Sequence, residues 1–453
     1  MKIGLKDFRA FADTGLIDIK PITFLVGDNS SGKTSFLAAL NYVWRLSERF
    51  GGASFNAPPF DLGTFDEIVH RVRGRNRPEC FSIELEEQLT ISSKRLSLYS
   101  EEDVMENISG IARLSVRLKN NIGEAFLYEM DLSFNEFSLS LKFGDKLSIT
   151  IRENGDITLD SEKGQGDLGF GQRRLAIAPF DISFLEIYLR RSLYDEKLAR
   201  KKGDDRLHAS LSIVAGALEA LTARFPRAIF ASAPVRSNPE RVYRTSDRPR
   251  LADGTNTPQA LFRIKSSDEN RWLRIRTGLE EFGKISGLFQ TIDISRYKRA
   301  GSSPFQINVS FRGRQSNIVD VGYGVSQILP ILTELIEAPT HSSFLFQQPE
   351  VHLHPRAQAA LGSFFAKYIA EHRGSFLIAE THSDYLIDRV RREARNKRIP
   401  YQDIAILYFA SEGNKTVIHQ MSVSKDGDIV NPPDSYRDFF VREQMAMLGI
   451  ETH

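Results

Sequence analysis

A short glycine-rich stretch constrains the fold of this 453-residue chain more than any other feature. Gly27–Thr34 reads GDNSSGKT and fits the pattern G-x-x-x-x-G-K-[ST]. The apolar run Ile22–Val26 before it predicts a strand, and Ser35–Leu40 after it predicts a helix. Gly27 and Gly32 let backbone N–H groups approach an anion, and the helix start adds the positive end of its dipole. The stretch therefore predicts a phosphate-binding loop between a strand and a helix.

The side chains of this loop indicate which anion it binds. Lys33 is expected to reach the β- and γ-phosphates of a nucleotide, and the Thr34 hydroxyl is expected to bind Mg²⁺. The predicted nucleotide contacts come from the loop and the first turn of the helix: Gly27, Asn29, Ser30, Ser31, Gly32, Lys33, Thr34 and Ser35. Phe8, Arg9 and Phe11 lie where an adenine could stack, and ordinary packing of a sheet explains them at least as well.

Composition excludes several classes of protein. The hydrophobic content of 41% supports a sizeable core, and the formal net charge of +2 does not indicate a nucleic-acid binder by itself. One cysteine, Cys80, excludes a disulfide framework within the chain and fits a reducing cytoplasm. The sequence shows neither the apolar core of a signal peptide at its start nor an apolar run of about 18 residues, so we expect a cytoplasmic location without a membrane span.

Hydrophobic periodicity divides the chain into three parts. Residues 1–160 are predicted to contain the phosphate-binding loop and an antiparallel sheet, since alternating runs from Phe81 onward are separated by turns such as Asn154-Gly155. Residues 161–300 read as a mainly helical insertion, with helices over 180–225 and 257–289. Residues 301–453 return to strands and helices and complete the α/β domain, including closing strands at Ile404–Phe409 and Thr416–Val423.

The third part carries a second set of polar motifs. Asp320–Gln327 holds Gly322, Gly324 and Ser326 directly before an apolar helix, which predicts a second anion-binding helix start. Two predicted strands end at polar groups, one at Gln347-Gln348-Pro349-Glu350 and one at Glu380-Thr381-His382. His382 is placed to meet a phosphate. His352 and His354 fit a structural turn better than a metal site, because the sequence puts few carboxylates and no cysteine around them.

The order of these motifs resembles that of ATP-binding-cassette ATPases, and more closely the RecF-like, SMC-like and OLD-type branch that is often called AAA family ATPases. The resemblance implies an ABC-type P-loop core with an antiparallel β subdomain and a mainly helical insertion. It also implies that ATP and Mg²⁺ are the cofactors and that two protomers sandwich ATP as a homodimer or within a higher homo-oligomer. The P-loop of one protomer would face Gly322–Gln327 of the other, and His382 would sense the γ-phosphate.

The chain departs from this family at the Walker B strand, where two carboxylates are expected and Gln347 and Gln348 stand instead. An amide oxygen such as that of Gln347 binds Mg²⁺ weakly, and Gln348 cannot accept a proton near neutral pH. Hydrolysis is therefore slow, or Glu350 serves as the base, or one glutamine stands in place of a natural glutamate. The resulting candidate set is Lys33, Gln348, Glu350 and His382 for catalysis, with Thr34 and Gln347 for the metal.

Two further family motifs are altered. The signature lacks the usual serine before its glycine pair, and no glutamine between residues 51 and 87 marks a Q-loop. Asp66, Glu67 and His70 lie in that region, and we interpret them as surface residues.

The preferred function is an ATP-dependent switch that controls a separate effector protein, such as a nuclease, in antiphage defence; this setting rests on the resemblance. The stretch after His382 is too short for the Toprim nuclease domain of OLD-type relatives. The alternative is a RecF-like ATPase that binds DNA in repair or maintenance. Two groups of basic residues could contact DNA. The first could equally pair with acidic groups of the chain itself and contains Arg236, Arg241, Arg244, Arg248 and Arg250. The second contains Arg389, Arg391, Arg392, Arg395, Lys397 and Arg398.

Overall fold

The structure is a computed structural model that describes residues 1–46, 54–71, 77–95, 104–144, 146–164, 205–296, 304–413, 415–436 and 445. The helices predicted over 180–204 lie outside these residues.

The described helices are α1 to α8: Lys33–Arg45, Phe65–Ile68, Asp205–Thr222, Thr257–Ser267, Glu269–Ser286, Tyr323–Glu337, Pro355–Glu371 and Asp384–Arg395. The strands β1 to β10 are Lys2–Phe8, Phe11–Asp13, Ile17–Asp18, Ile22–Gly27, Cys80–Arg95, Val104–Asn121, Glu124–Phe134, Phe137–Phe143, Lys146–Glu153 and Asp156–Gly164. The strands β11 to β19 are Ala228–Ser232, Thr291–Arg296, Phe305–Phe311, Arg314–Asn317, Ser342–Gln347, Phe376–Glu380, Ile404–Glu412, Lys415–Val423 and Ile429–Val430.

A seven-stranded sheet forms the centre of the fold, in the order β11-β15-β16-β4-β17-β18-β19. The first five strands are parallel; β18 pairs antiparallel with β17, and β19 pairs antiparallel with β18. The parallel strands are continuous apolar runs, as expected of strands covered on both faces. Because parallel strands end at one edge, the carboxyl ends of β4, β15 and β16 lie side by side there.

A second sheet is antiparallel and runs β10-β9-β8-β7-β6-β5-β1-β2, with β3 paired to β1. Its buried positions alternate with half-buried or exposed ones, for example along β8, which is the pattern of a sheet with one covered face. The predicted Asn154-Gly155 turn is present, with φ of 53° and 88°. The α/β fold class with an antiparallel β subdomain is therefore confirmed.

Two hydrophobic cores lie on opposite faces of the seven-stranded sheet. Leu25 and Ile378 point into the core shared with α1, α3 and the antiparallel sheet. Phe24 and Ala379 point into the core covered by α4 to α8. Successive side chains of a strand therefore point to opposite faces of the sheet, and this alternation determines which side chains at the strand ends face the phosphate-binding loop.

Residues 161–300 differ from the prediction in two ways. The helix expected over 257–289 is two helices, because the backbone of Asp268 is extended and its side chain caps α5 by accepting from the N–H of Arg271 (2.9 Å). Ala228–Ser232 pairs in parallel with β15 at the edge of the central sheet, so this part of the segment is a strand of that sheet and not a helix. In the part of the chain that the structure describes, no helix has the length and apolar character needed to cross a membrane.

Candidate functional site

The predicted phosphate-binding loop connects β4 to α1 and depends on two glycines. Gly27 has φ of 125°, and a Cβ there would lie 2.2 Å from the carbonyl oxygen of Phe409. Gly32 has φ of 95°, and its Cβ would lie 2.8 Å from the ring of Phe11. Both positions therefore require glycine, for backbone conformation and for space.

Lys33 turns back onto this loop. Its Nζ donates hydrogen bonds to the carbonyl oxygens of Asp28 (2.6 Å) and Gly27 (3.1 Å). Burial lowers the pKa of Lys33, while Glu380 and Asp28 raise it. A cation held in this position is available to neutralise a phosphate group that enters the loop.

A cavity of about 430 Å³ opens over the loop and the start of α1. Predicted contacts among its lining residues are Ser30, Gly32, Lys33, Thr34 and Ser35. Arg9, which the sequence placed near a possible adenine, also lines the cavity. The remaining lining residues are Ala10, Glu67, Val69, Arg71 and Glu380, which the sequence did not place among the site residues.

The aromatic residues proposed to stack on adenine have another role. Phe8 and Phe11 are fully buried and pack in the core. Arg9 lines the cavity, and its guanidinium donates to the carbonyl oxygens of Glu67 (3.0 Å) and Leu62 (3.3 Å). These contacts favour the packing interpretation for the two phenylalanines.

Of the three residues interpreted as surface residues, Asp66 and Glu67 are exposed, whereas the interpretation is wrong for His70. His70 is buried, and its Nδ1 lies 2.6 Å from the carbonyl oxygen of Arg9. Glu67 accepts from the N–H (2.8 Å) and hydroxyl (3.0 Å) of Thr64 as the capping box of α2. His70 therefore contacts the Arg9 backbone directly, and Glu67 stabilises the start of α2.

The Thr34 hydroxyl donates a hydrogen bond to Oε2 of Glu380, at 2.9 Å. Glu380 is the last residue of β16 and is buried. A hydroxyl and a carboxylate that converge beside the phosphate-binding loop are oxygen ligands of the kind Mg²⁺ prefers. The site therefore fits a nucleotide with its magnesium ion.

Gln347 is the last residue of β15 and pairs with Glu380, and Gln348 follows it directly. Gln347 is buried, and its Nε2 is shielded from solvent without a hydrogen-bond partner among the described residues. Gln348 has a positive φ of 46°; its N–H donates to the carbonyl of Glu380 (2.8 Å), and its own carbonyl accepts from Arg236 (3.1 Å). Neither glutamine lines the cavity over the loop.

Glu350 does not line the cavity over the loop. Its Oε1 accepts the backbone N–H of His382 (2.8 Å), and burial raises the pKa of the carboxyl. The side chain of His382 is exposed. The structure therefore brings Glu350 and His382 together, and neither of them lines the cavity that contains Lys33.

The signature segment lies at the start of α6 and forms no part of the cavity over the P-loop. A Cβ on Gly322 would meet nothing within 4 Å, whereas one on Gly324 would lie 2.8 Å from the carbonyl of His352. Ser326 is half-exposed, and its hydroxyl donates to the carbonyl of Tyr323 (2.8 Å). Within one chain, neither Gly322 nor Ser326 thus lines the cavity over the P-loop.

The turn interpretation of His352 and His354 fits their positions. His352 has φ of 65°, and His354 caps α7 by accepting from the N–H of Arg356 (3.3 Å). Among the described residues, no group of three or more His, Cys, Asp or Glu side chains could hold a metal by itself.

Several arginines proposed for DNA are engaged within the chain. Arg236 is 3% exposed, and burial lowers its pKa to about 10. Arg241 pairs with Asp320 through both ends of its guanidinium, and Arg250 pairs with Glu337 (3.0 Å). These contacts favour intramolecular pairing over a nucleic-acid surface in this loop.

Two family models match the chain. The model described as "AAA ATPase domain" matches residues 1–177, and the one described as "AAA domain, putative AbiEii toxin, Type IV TA system" matches residues 233–388. Both models describe AAA-type ATPase domains. The first contains the P-loop, and the second contains the signature segment, both glutamines, Glu380 and His382.

Solved structures give weaker matches. The chain is 12% identical to the Smc head domain with an extended coiled coil bound to the C-terminal domain of ScpA from Pyrococcus furiosus, with a TM-score of 0.40 over 99% of this chain and 98% of that chain. It is 12% identical to the SMC head domain from Thermotoga maritima, with a TM-score of 0.35 over 93% and 98%. Similarities at this level carry no conclusion about this chain. No curated protein matches it significantly.

Proposed function

We propose that this chain is an ATP-binding switch that hydrolyses ATP slowly and dimerises around it. The observation that carries the proposal is the placement of Lys33 and Thr34 at the start of α1, facing a cavity of about 430 Å³. The helix dipole, the lysine and the backbone N–H groups all favour a polyphosphate there. Bound Mg²⁺ would neutralise charge on the phosphates, with Thr34 among its ligands.

Slow turnover follows from the end of β15. Gln348 occupies the position where the family places a general base, and its amide cannot accept a proton near neutral pH. Glu350 does not replace it, since its carboxylate is bonded to the backbone of His382 and lies outside the cavity. ATP bound to such a site persists, which suits a switch better than a motor.

Dimerisation is supported by the start of α6. A Cβ added to Gly322 would meet no atom within 4 Å, so this position is open. Tyr323 and Ser326 beside it are also partly or fully exposed. An open helix start with a glycine is suited to approach a phosphate bound to another protomer. The same segment is separated from the P-loop of its own chain, so a second copy would complete the site.

The biological setting proposed for the switch is control of a separate effector in antiphage defence. It rests on the motif order and on the description of the family model over 233–388, which names a toxin of a toxin–antitoxin system. Direct DNA binding is the less favoured function, because Arg236, Arg241 and Arg250 are engaged within the chain.

ATP binding and turnover measured side by side test the central proposal. Lys33→Ala is expected to weaken ATP binding by about tenfold or more, since it removes a charged phosphate ligand. Lys6→Ala, at an exposed lysine on β1, is the matched control. Wild-type protein that binds no ATP, or Lys33→Ala protein that binds it as well as wild type, would refute the proposal.

A further inference from the structure

The carboxylate at the carboxyl edge of the central sheet is Glu380, at the end of β16. The resemblance places it instead at the end of β15, where Gln347 stands. Gln347 on β15 and Glu380 on β16 are paired in register, and Glu380 in turn pairs with Leu25 on β4. Paired residues of parallel strands point to the same face of a sheet. Glu380 therefore lies on the same face as Gln347 and one strand nearer to the P-loop strand.

The chemistry of this pair favours Glu380 as a metal ligand. Gln347 carries no charge and does not line the cavity. Glu380 lines the cavity, and its Oε2 is already 2.9 Å from the Thr34 hydroxyl. Mg²⁺ in nucleotide sites is bound by one or two carboxylates together with phosphate oxygens, so one carboxylate beside Thr34 satisfies the requirement.

We propose that Glu380, and not a residue of the Walker B strand, is the carboxylate that holds the nucleotide's Mg²⁺ in this chain, together with Thr34. This inference rests on the proposed function, because the ion arrives with the nucleotide. It deepens that function by explaining how the site retains a metal although Gln347 and Gln348 stand in the usual acidic positions.

The neighbouring carboxylates are accounted for by other contacts. Glu67 also lines the cavity, but both its contacts are to Thr64 in the cap of α2. Glu350 is bonded to the N–H of His382 and does not line the cavity. Among the described residues, Glu380 is thus the carboxylate that both lines the cavity and contacts the Thr34 hydroxyl.

The test measures metal affinity rather than turnover. Mn²⁺ replaces Mg²⁺ as a spectroscopic probe, and its binding to the protein with a non-hydrolysable ATP analogue is titrated by electron paramagnetic resonance. Glu380→Gln is expected to weaken Mn²⁺ binding by about tenfold or more, while the affinity for the analogue in EDTA falls by less than threefold. Glu67→Gln removes the same charge from the same cavity and is expected to change Mn²⁺ affinity by less than threefold.

Mn²⁺ affinity in Glu380→Gln within threefold of wild type would overturn the inference. The amide of Gln can still accept from Thr34, so the variant is expected to fold; thermal melting checks this. If it does not fold, Glu380→Asp, which withdraws the carboxylate by one methylene, takes its place. A threefold or greater loss of Mn²⁺ affinity there supports the inference, and unchanged affinity overturns it.

The proposed function and this inference fail in different ways. If wild-type protein binds no nucleotide in EDTA or with Mg²⁺, the proposed function fails. If nucleotide binds through Lys33 and the metal binds equally well without the Glu380 carboxylate, this inference alone fails.

Discussion

Glu350 and His382 are joined by a hydrogen bond from the backbone N–H of His382 to Oε1 of Glu350, at 2.8 Å. The bond connects the turn after β15 to the turn after β16. Because the Glu350 carboxylate is buried, this hydrogen bond is shielded from solvent. Glu350 thus positions the loop of the proposed γ-phosphate sensor.

Glu350→Ala leaves the His382 N–H without this acceptor. We expect a loss of about 1–3 kcal/mol in the free energy of unfolding and slower ATP turnover, because the loop is no longer held. Glu350→Gln retains an acceptor oxygen and should keep most of the turnover. A loss of a hundredfold or more in Glu350→Gln would instead identify Glu350 as the general base.

Gln348→Glu should increase ATP turnover by about tenfold or more, because it adds a proton acceptor at the position where the family places one. Steady-state phosphate release measures the effect, and Gln315→Glu, at an exposed position on β14, controls for the added charge. Brisk turnover in wild type that Gln348→Glu leaves unchanged would mean that another group activates the water.

The two glycines of the signature segment should respond differently to substitution. Gly322→Asp is expected to leave the fold intact, since its Cβ direction is open, and to abolish ATP-dependent dimerisation by repelling the partner's phosphates. Gly324→Ala should destabilise the monomer itself, because its Cβ would lie 2.8 Å from the His352 carbonyl.

Light scattering after size-exclusion chromatography, with and without ATP, measures the dimer. Ile122→Asp adds the same charge at a side chain that is 98% exposed and is the matched control. ATP-dependent dimers that form normally in Gly322→Asp would argue against the sandwich arrangement.

Glu334 on α6 should make stability depend on pH. Burial raises its pKa to about 7, from 4.5 for an ordinary glutamate, so the folded protein retains the proton over a range in which the unfolded chain has lost it. The stability that this proton provides is present below about pH 4.5 and is lost as the pH rises to about 7.

Relative to Glu334→Gln, which stays neutral, the free energy of unfolding of wild type should fall by on the order of 2 kcal/mol over this range. Chemical denaturation of both proteins at several pH values measures the difference. A difference that stays constant from pH 4.5 to 7 would contradict the raised pKa.

The sequence by itself determined the P-loop, the apolar strands and their order along the chain. These features depend on residues close together in sequence: the glycines that permit the loop between Val26 and Thr34, and the apolar runs that end at Gln347 and Glu380. The family resemblance added the order of the motifs, and both AAA-type matches agree with it.

The tertiary structure decided which strand ends are neighbours. Thr34 and Glu380 are 346 positions apart, and they touch because β16 lies between β15 and β4 in the sheet. The burial of His70 and the direction of Glu350 are likewise set by elements that pack from elsewhere in the chain. Local sequence patterns do not predict these contacts, because strand order and packing depend on contacts between distant segments.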